Sequence, residues 1–280
     1  MNNINNNTEI SQEALHSHLM QMMKWFHNFC VNYKIRYYAL GGTMLGAIRH
    51  QGFIPWDDDI DVGVPRDDYE RMKDIIGNRL FDGYYFETME SPAFEYRYPY
   101  GKLYDSRTTL VEHTWPALKR GVFIDVFPLD GLGNTQDESI NRWKSIMKKA
   151  NYMLARSCAI RKERSVLKNA AILFAHMIPN PIARDKFILA DMEKKCKELD
   201  FDECLIGGNI FGNWGIKEIM PSSIMGEPTL YKFGDISIYG AERADDYLTH
   251  LYGDWRKLPP KEKQITHHDF LEIDLNKPYI

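Results

Sequence analysis

Residues 54–64 read IPWDDDIDVGV, with four aspartates in five positions and an apolar run directly behind them. Carboxylates packed this closely repel, so a fold that keeps them together must protonate some, bind a cation, or turn them apart. The apolar run sets the register. In a strand, alternate residues face opposite ways, so Ile60, Val62 and Val64 form a buried face, with Asp58 pointing the same way. Asp57, Asp59 and Asp61 then face the other side. A strand over 59–64 is therefore expected to carry Asp59 and Asp61 side by side, roughly 6–7 Å apart along the backbone. Two carboxylates at that spacing converge on one divalent ion or bridge two.

A third acid would complete such a set. The stretch GVFIDVFPLDG (121–131) reads as an apolar strand interrupted at Asp125, and an acid in that setting is costly to bury without a partner. Oxygen-only ligands favour hard cations, so the expected metal is Mg2+, with Mn2+ as the alternative. Two other readings compete. An acidic surface loop is often only solvated. A calcium loop would place Asp57, Asp59 and Asp61 at its first, third and fifth positions and Asp68 at its twelfth. It fails where glycine is needed, at Val62, and at position twelve, which lacks glutamate.

Upstream, ALGGTMLGAIRH (39–50) predicts a short strand over 36–40, a Gly41–Gly42 turn and a helix. Backbone N–H groups at such a turn approach phosphate oxygens closely, and the helix N-terminus favours the negative charge. Thr43 can cap the helix or donate. Arg49 and His50 could add positive contacts there. A lone Gly-Gly is also an ordinary tight-turn filler, so this signal gains weight only from the aspartate strand that follows it.

The rest of the chain supplies the frame. Apolar residues from Leu15 to Tyr33 recur at three- and four-residue steps, predicting a helix capped by Ser11. Pro65 opens another, on which Tyr69, Met72, Ile75, Ile76 and Leu80 share a face. Strands are expected between Tyr84 and Val111, a helix over 183–199, short strands after Gly207–Gly208, and a helix over 241–251. From Arg142 to Lys168 nine basic residues stand against one acid, Glu163, in a chain of 280 residues with net charge −4. That overall charge offers no electrostatic case for nucleic acid. Four dispersed cysteines with no CxxC pair exclude ordinary zinc spacing and a small disulfide framework. The longest apolar run, AAILFAHMI (170–178), is too short to span a bilayer. The expected organisation is a disordered lead (1–10), a catalytic core (11–134), a basic helical region (135–200), and a C-terminal part packing back on the core (201–280).

The stretch GGTMLGAIRHQGFIPWDDDIDVGVPRDDYERM resembles the signature of the LicD family, and GVFIDVFPLDG and YGDWRKLPP are similar to further parts of it. The family's distant relatives include the fukutin-related proteins. The resemblance implies an α+β, nucleotidyltransferase-like fold: a mixed sheet flanked by helices, with a helical insertion. It implies that Gly41 and Gly42 approach phosphate, that Asp59, Asp61 and Asp125 are catalytic and hold the metal, and that Arg49, His50 and Lys102 are candidates to stabilise charge on the leaving CMP. The implied activity moves phosphocholine from CDP-choline, or another phospho-alcohol from its CDP donor, to a hydroxyl of a cell-surface glycan or its lipid-linked precursor, releasing CMP. Teichoic acid and lipopolysaccharide are the acceptors in view.

A quaternary ammonium prefers aromatic faces, and Trp56, Tyr96, Tyr98, Tyr100 and Trp115 are near in sequence, although aromatics are more often core. The basic stretch 142–168 is either a solvated helix face or a peripheral contact with the inner membrane face of a cytoplasmic protein. His267 and His268 are left without a role. Two rival functions stay open: a nucleotidyltransferase that leaves a nucleotide on a small hydroxylated acceptor, and a non-catalytic glycan- or calcium-binding module.

Overall fold

The computed structural model describes residues 10–91, 98–162, 164–177, 182–266 and 270–280. Seven α-helices and a mixed sheet make an α+β fold. In chain order the first half runs α1 (Gln12–Tyr33), β1 (Tyr38–Ala39), α2 (Gly41–His50), β2 (Asp61–Pro65), α3 (Arg66–Ile76), β3 (Tyr84–Glu87), β4 (Gly101–Asp105), β5 (Thr109–Glu112), β6 (Leu118–Arg120) and β7 (Phe123–Gly133). Three helices follow, α4 (Gln136–Ser157), α5 (Val166–Met177) and α6 (Ile182–Cys196). The chain ends with β8 (Ile206–Asn209), β9 (Ile219–Pro221), β10 (Thr229–Phe233), β11 (Ile236–Gly240), α7 (Ala244–Tyr252) and β12 (Phe270–Asp274).

The first helix follows its apolar spacing. Leu15, Leu19, Met22, Met23, Phe26, Phe29 and Cys30 are buried, whereas Tyr33, in the last turn, is exposed. Each large side chain buried this way contributes about 1.5–3 kcal/mol. Ser11 caps the helix, its hydroxyl accepting from the Ala14 N–H at 3.2 Å. On α3, Tyr69, Met72 and Ile76 are buried, but Leu80 lies beyond the helix end at Gly77 and is exposed.

The long strand β7 is the spine of the main sheet. It pairs in parallel with β2 along one edge; on the other, β4 takes its first half and β8 its second, both antiparallel. With β1 beside β2, β3 beside β4 and β9 beside β8, the sheet has seven strands. All eleven residues of β7 are buried. One of them, Asp130, is a second carboxylate that the reading of 121–131 as an apolar strand interrupted at Asp125 passes over. Asp130 accepts both guanidinium bonds of the buried Arg66, at 2.7 and 2.9 Å. This bidentate pair ties α3 to the spine and explains why the acid tolerates complete burial.

Two local expectations change. Gly41 and Gly42 are not a turn ahead of the helix; they are the first turn of α2. The strand after the aspartates begins at Asp61, not Asp59. The ladder reaches back only as far as Ile60, whose carbonyl accepts from the Asp125 N–H at 2.9 Å. Asp57, Asp58 and Asp59 belong to the loop that leads into the sheet.

Candidate active site

Parallel pairing of β2 and β7 sets Asp61 directly opposite Asp125. Antiparallel pairing of β7 and β4 sets Lys102 on the other side of Asp125. Three neighbouring strands thus present acid, acid and lysine in one row. Asp61 sits at the strand start, where its N–H donates to Thr43 Oγ1 at 2.9 Å, so Thr43 anchors the acid from within α2.

The N-terminus of α2 presses on the same acids. Gly41 has φ +47°, a left-handed conformation that favours glycine, and its N–H donates to the Tyr247 hydroxyl at 2.9 Å. A Cβ at Gly41 would stand 3.6 Å from Asp61 Oδ2, and one at Gly42 only 2.4 Å from Asp57 Oδ2. The glycines let carboxylates approach the positive end of the helix. Gly42→Ala should therefore leave folding nearly intact, because the obstructing atom ends a short side chain that can swing aside. Displacing Asp57 should lower turnover by about 100-fold. Steady-state kinetics beside a thermal melt check this: an unchanged rate would show that the Asp57 position is immaterial.

Among the described residues, carboxylate oxygens of Asp57, Asp58 and Asp59 lie within 4.8 Å of one another. The Asp61 carboxyl is pushed well above the usual range by burial first, then by the charges of Asp59, Asp125, Asp57 and Glu218. Its strongest charged neighbours are all acids. Asp125 is raised to about 6 by burial, an effect that Lys102 opposes and that Asp59 and Glu112 reinforce. Such a concentration of carboxylates can hold a metal ion. A second acidic group, Glu70, Glu90 and Glu193, differs in kind. Lys73 and Lys197 thread it, with Lys73 Nζ 2.8 Å from Glu70 and 2.6 Å from Glu90, and Lys197 Nζ 2.8 Å from Glu193. Most of its charge is already offset by these two lysines.

Lys102 does not reach outward to a substrate. It is buried with Nζ 3.0 Å from Asp125 Oδ1 and 3.5 Å from Glu112 Oε2, and it lies 3.4 Å from the Phe123 ring centroid. It partly offsets the charge of two acids, so its expected contact with the leaving nucleotide would compete with these partners. Tyr98 donates to Glu112 Oε2 at 2.6 Å, and the rings of Tyr98 and Tyr100 already have the Lys102 ammonium 4.6 and 5.9 Å from their centroids. The protein's own cation thus already lies near both rings. Trp56 meets His50 edge-on, and Trp115 stacks on His176 of α5, so the aromatic candidates do not converge on one cage. Tyr96, His267 and His268 lie outside the described residues.

Arg49 is placed differently. It donates to the Trp255 carbonyl at 2.8 Å and to His50 Nε2 at 3.0 Å, with no carboxylate partner among the described residues. Burial lowers its pKa, and the Tyr252 hydroxyl is the neighbour that counters this. A half-buried guanidinium without an acid suits an incoming phosphate. His50 is lowered by burial and then by Arg49, which favours its neutral ring.

Three participants escape a reading of the sequence. Glu218 ends a 3-10 turn (Gly215–Glu218) and is pushed up to about 7 by burial, against the Trp214 N–H that donates to it at 3.3 Å. Tyr247 and Tyr252 of α7 close the same side. A glutamate more than 150 residues from Asp61, in a stretch with no motif, carries no local signal.

Residues 34–158 match the family described as "LicD/FKTN/FKRP, nucleotidyltransferase domain". That segment contains α2, β2, β4 and β7, the elements that carry the acids and Lys102. The chain is 33% identical over 257 residues to lipopolysaccharide cholinephosphotransferase LicD of Haemophilus influenzae, covering 89% of this chain and 92% of the relative. The chain belongs to the LicD family. Shorter matches include the ribitol 5-phosphate transferase FKRP of Homo sapiens, 42% identical over 43 residues (15% of this chain, 9% of the relative). An uncharacterized Rickettsia prowazekii protein is 43% identical over 58 residues, 21% of this chain and 22% of its own.

Proposed function

We propose that this LicD-family phosphotransferase moves phosphocholine, or a related phospho-alcohol, from a CDP-alcohol to a hydroxyl of a lipopolysaccharide-type or other cell-surface glycan. The observation that carries the reading is the register that sets Asp61 beside Asp125, with the aspartate loop next to both. Its counterpart in the comparisons is the Haemophilus relative, similar over nearly its whole length and named for transfer of phosphocholine.

Asp59, Asp61 and Asp125 would hold the metal, and their oxygen-only donors suit Mg2+ or Mn2+. Bound there, a divalent ion would neutralise the donor diphosphate. Arg49 would contact a phosphate from the Trp255 side, and Lys102 keeps Asp125 ionised within a buried strand. The glycan hydroxyl oxygen attacks the phosphorus of the phosphocholine, the bond from that phosphorus to CMP breaks, and CMP leaves. If Asp125 does not bind the metal, it would instead take the hydroxyl proton.

The test is incubation with a panel of CDP-alcohols, Mg2+ and glycan acceptor, with CMP and the modified glycan both measured. CMP release matched by a phospho-alcohol adduct is the expected result. Pyrophosphate with a nucleotidyl adduct would instead make the chain a nucleotidyltransferase. Full turnover in Asp59→Ala would remove the metal assignment.

A further inference from the structure

The basic stretch 142–168 divides into two parts with opposite behaviour. On α4 three of the five cations turn toward the protein, while Lys144 and Lys148 are exposed. Arg142 donates to Glu198 Oε2 at 3.0 Å, Lys149 pairs with Asp191, and Arg156 donates to the Ala175 carbonyl at 3.0 Å. These groups are committed to holding α4 against its neighbours.

The next helix is built the other way round. Polar contacts of α5 point inward: Asn169 Nδ2 donates to the Arg161 carbonyl at 2.7 Å, and His176 stacks on Trp115. Its outward side carries Val166, Leu167, Leu173, Phe174 and Met177, all exposed, with Leu167 at 84%, Phe174 at 63% and Met177 at 65%. At about 100° per residue these five span an arc of roughly 120°. A helix on the surface of a globular protein normally turns such a face to the core. A contiguous apolar patch left outside marks an interaction surface.

The charges beside the patch identify its occupant. Lys162, just before α5, and Lys168, in its first turn, are exposed, and no acid occurs from residue 164 to 177. Trp115, exposed at 58%, adjoins the helix through His176, and tryptophan is favoured at a membrane–water boundary. Twelve residues of helix measure about 18 Å, too short to cross a bilayer but long enough to lie along one. No helix among the described residues is long and apolar enough to span. A second copy of the chain fits less well, because a two-fold contact would bring its own lysines to the same rim.

We propose that α5 docks the enzyme in the plane of an anionic phospholipid surface, with Leu167, Phe174 and Met177 entering the acyl boundary and Lys162 and Lys168 meeting lipid phosphates. This rests on the α5 face alone and not on the identity of the donor, so its test reads binding rather than turnover. The full chain is sedimented with vesicles of phosphatidylcholine alone and of phosphatidylcholine mixed with phosphatidylglycerol. Binding to the mixed vesicles only, weakened by added salt, is expected. The combined variant Leu167→Ser, Phe174→Ser and Met177→Ser should lower partitioning by about tenfold or more while its thermal melt stays unchanged, since all three side chains are exposed. Lys162→Glu with Lys168→Glu should reduce it by a similar factor. Wild-type protein that stays in the supernatant, or equal binding by wild type and both variants, overturns the proposal. Failure to bind vesicles together with a solution dimer that the triple variant dissociates would also overturn it, and would give the face to a second copy.

Discussion

Asp61→Asn should lower turnover by about three orders of magnitude while making the metal-free protein more stable. The two effects have one cause. Asp61 is held among Asp57, Asp59, Asp125 and Glu218, and burial and these charges push its carboxyl well above the usual range. In the absence of a cation, that crowding opposes folding, and a neutral amide of the same shape relieves it. A group that destabilises the fold it sits in is a mark of a functional position. Thermal melts in chelator, paired with CMP-release kinetics, read both effects. A variant that loses stability, or one that keeps its rate, would show that Asp61 is a structural acid.

The pH dependence has a definite sign. Asp125 is raised from 3.8 to about 6, so the folded protein holds that proton more tightly than the unfolded chain does. Protonation therefore favours the fold, and the stabilisation is complete below 3.8 and fades as pH climbs through about 6. Asp61 and Glu218 shift in the same direction. Chelated wild-type protein should accordingly melt lower at neutral pH than at mildly acidic pH. A saturating divalent cation should remove most of that difference by stabilising the ionised forms. A melting temperature that rises over the same window in chelator would contradict the crowding described for this site.

Lys102→Met should strongly destabilise the sheet. Methionine has comparable length and no charge, so it removes the cation with little change in packing. Asp125 and Glu112 would then lose their buried counter-charge, a loss that costs about 3–5 kcal/mol. Asp125 would gain a proton near neutral pH, because the group that most strongly lowers its pKa is Lys102. Turnover should fall with it. Adding Glu112→Gln to this variant removes one of the two stranded charges and should restore part of the stability without restoring the rate. Denaturant unfolding of the two variants measures this recovery. Equal stability of wild type and Lys102→Met would show that the acids do not depend on the lysine.

Much of the local architecture was legible in the residues themselves. The buried face of α1 follows its three- and four-residue spacing, and Ile60, Val62 and Val64 are buried around β2, where Gly63 and Pro65 on the other face are buried as well. The LicD resemblance was legible too, because the signature is contiguous. Boundaries were less so. Asp59 alternates correctly for a strand, yet the ladder stops at Ile60, because pairing requires a partner strand and β7 provides none for Asp59.

Local order in the sequence determined where helices and strands form and which acids are available, since side-chain periodicity and turn chemistry act between near neighbours. Only the tertiary structure decided which of those acids meet. The register of β2 on β7 brings Asp61 to Asp125, β4 brings Lys102 against Asp125, and Glu218 arrives from the far end of the chain. It likewise turned the apolar side of α5 outward. Such pairings depend on burial and hydrogen bonding summed over the whole fold, so no short stretch of residues contains them.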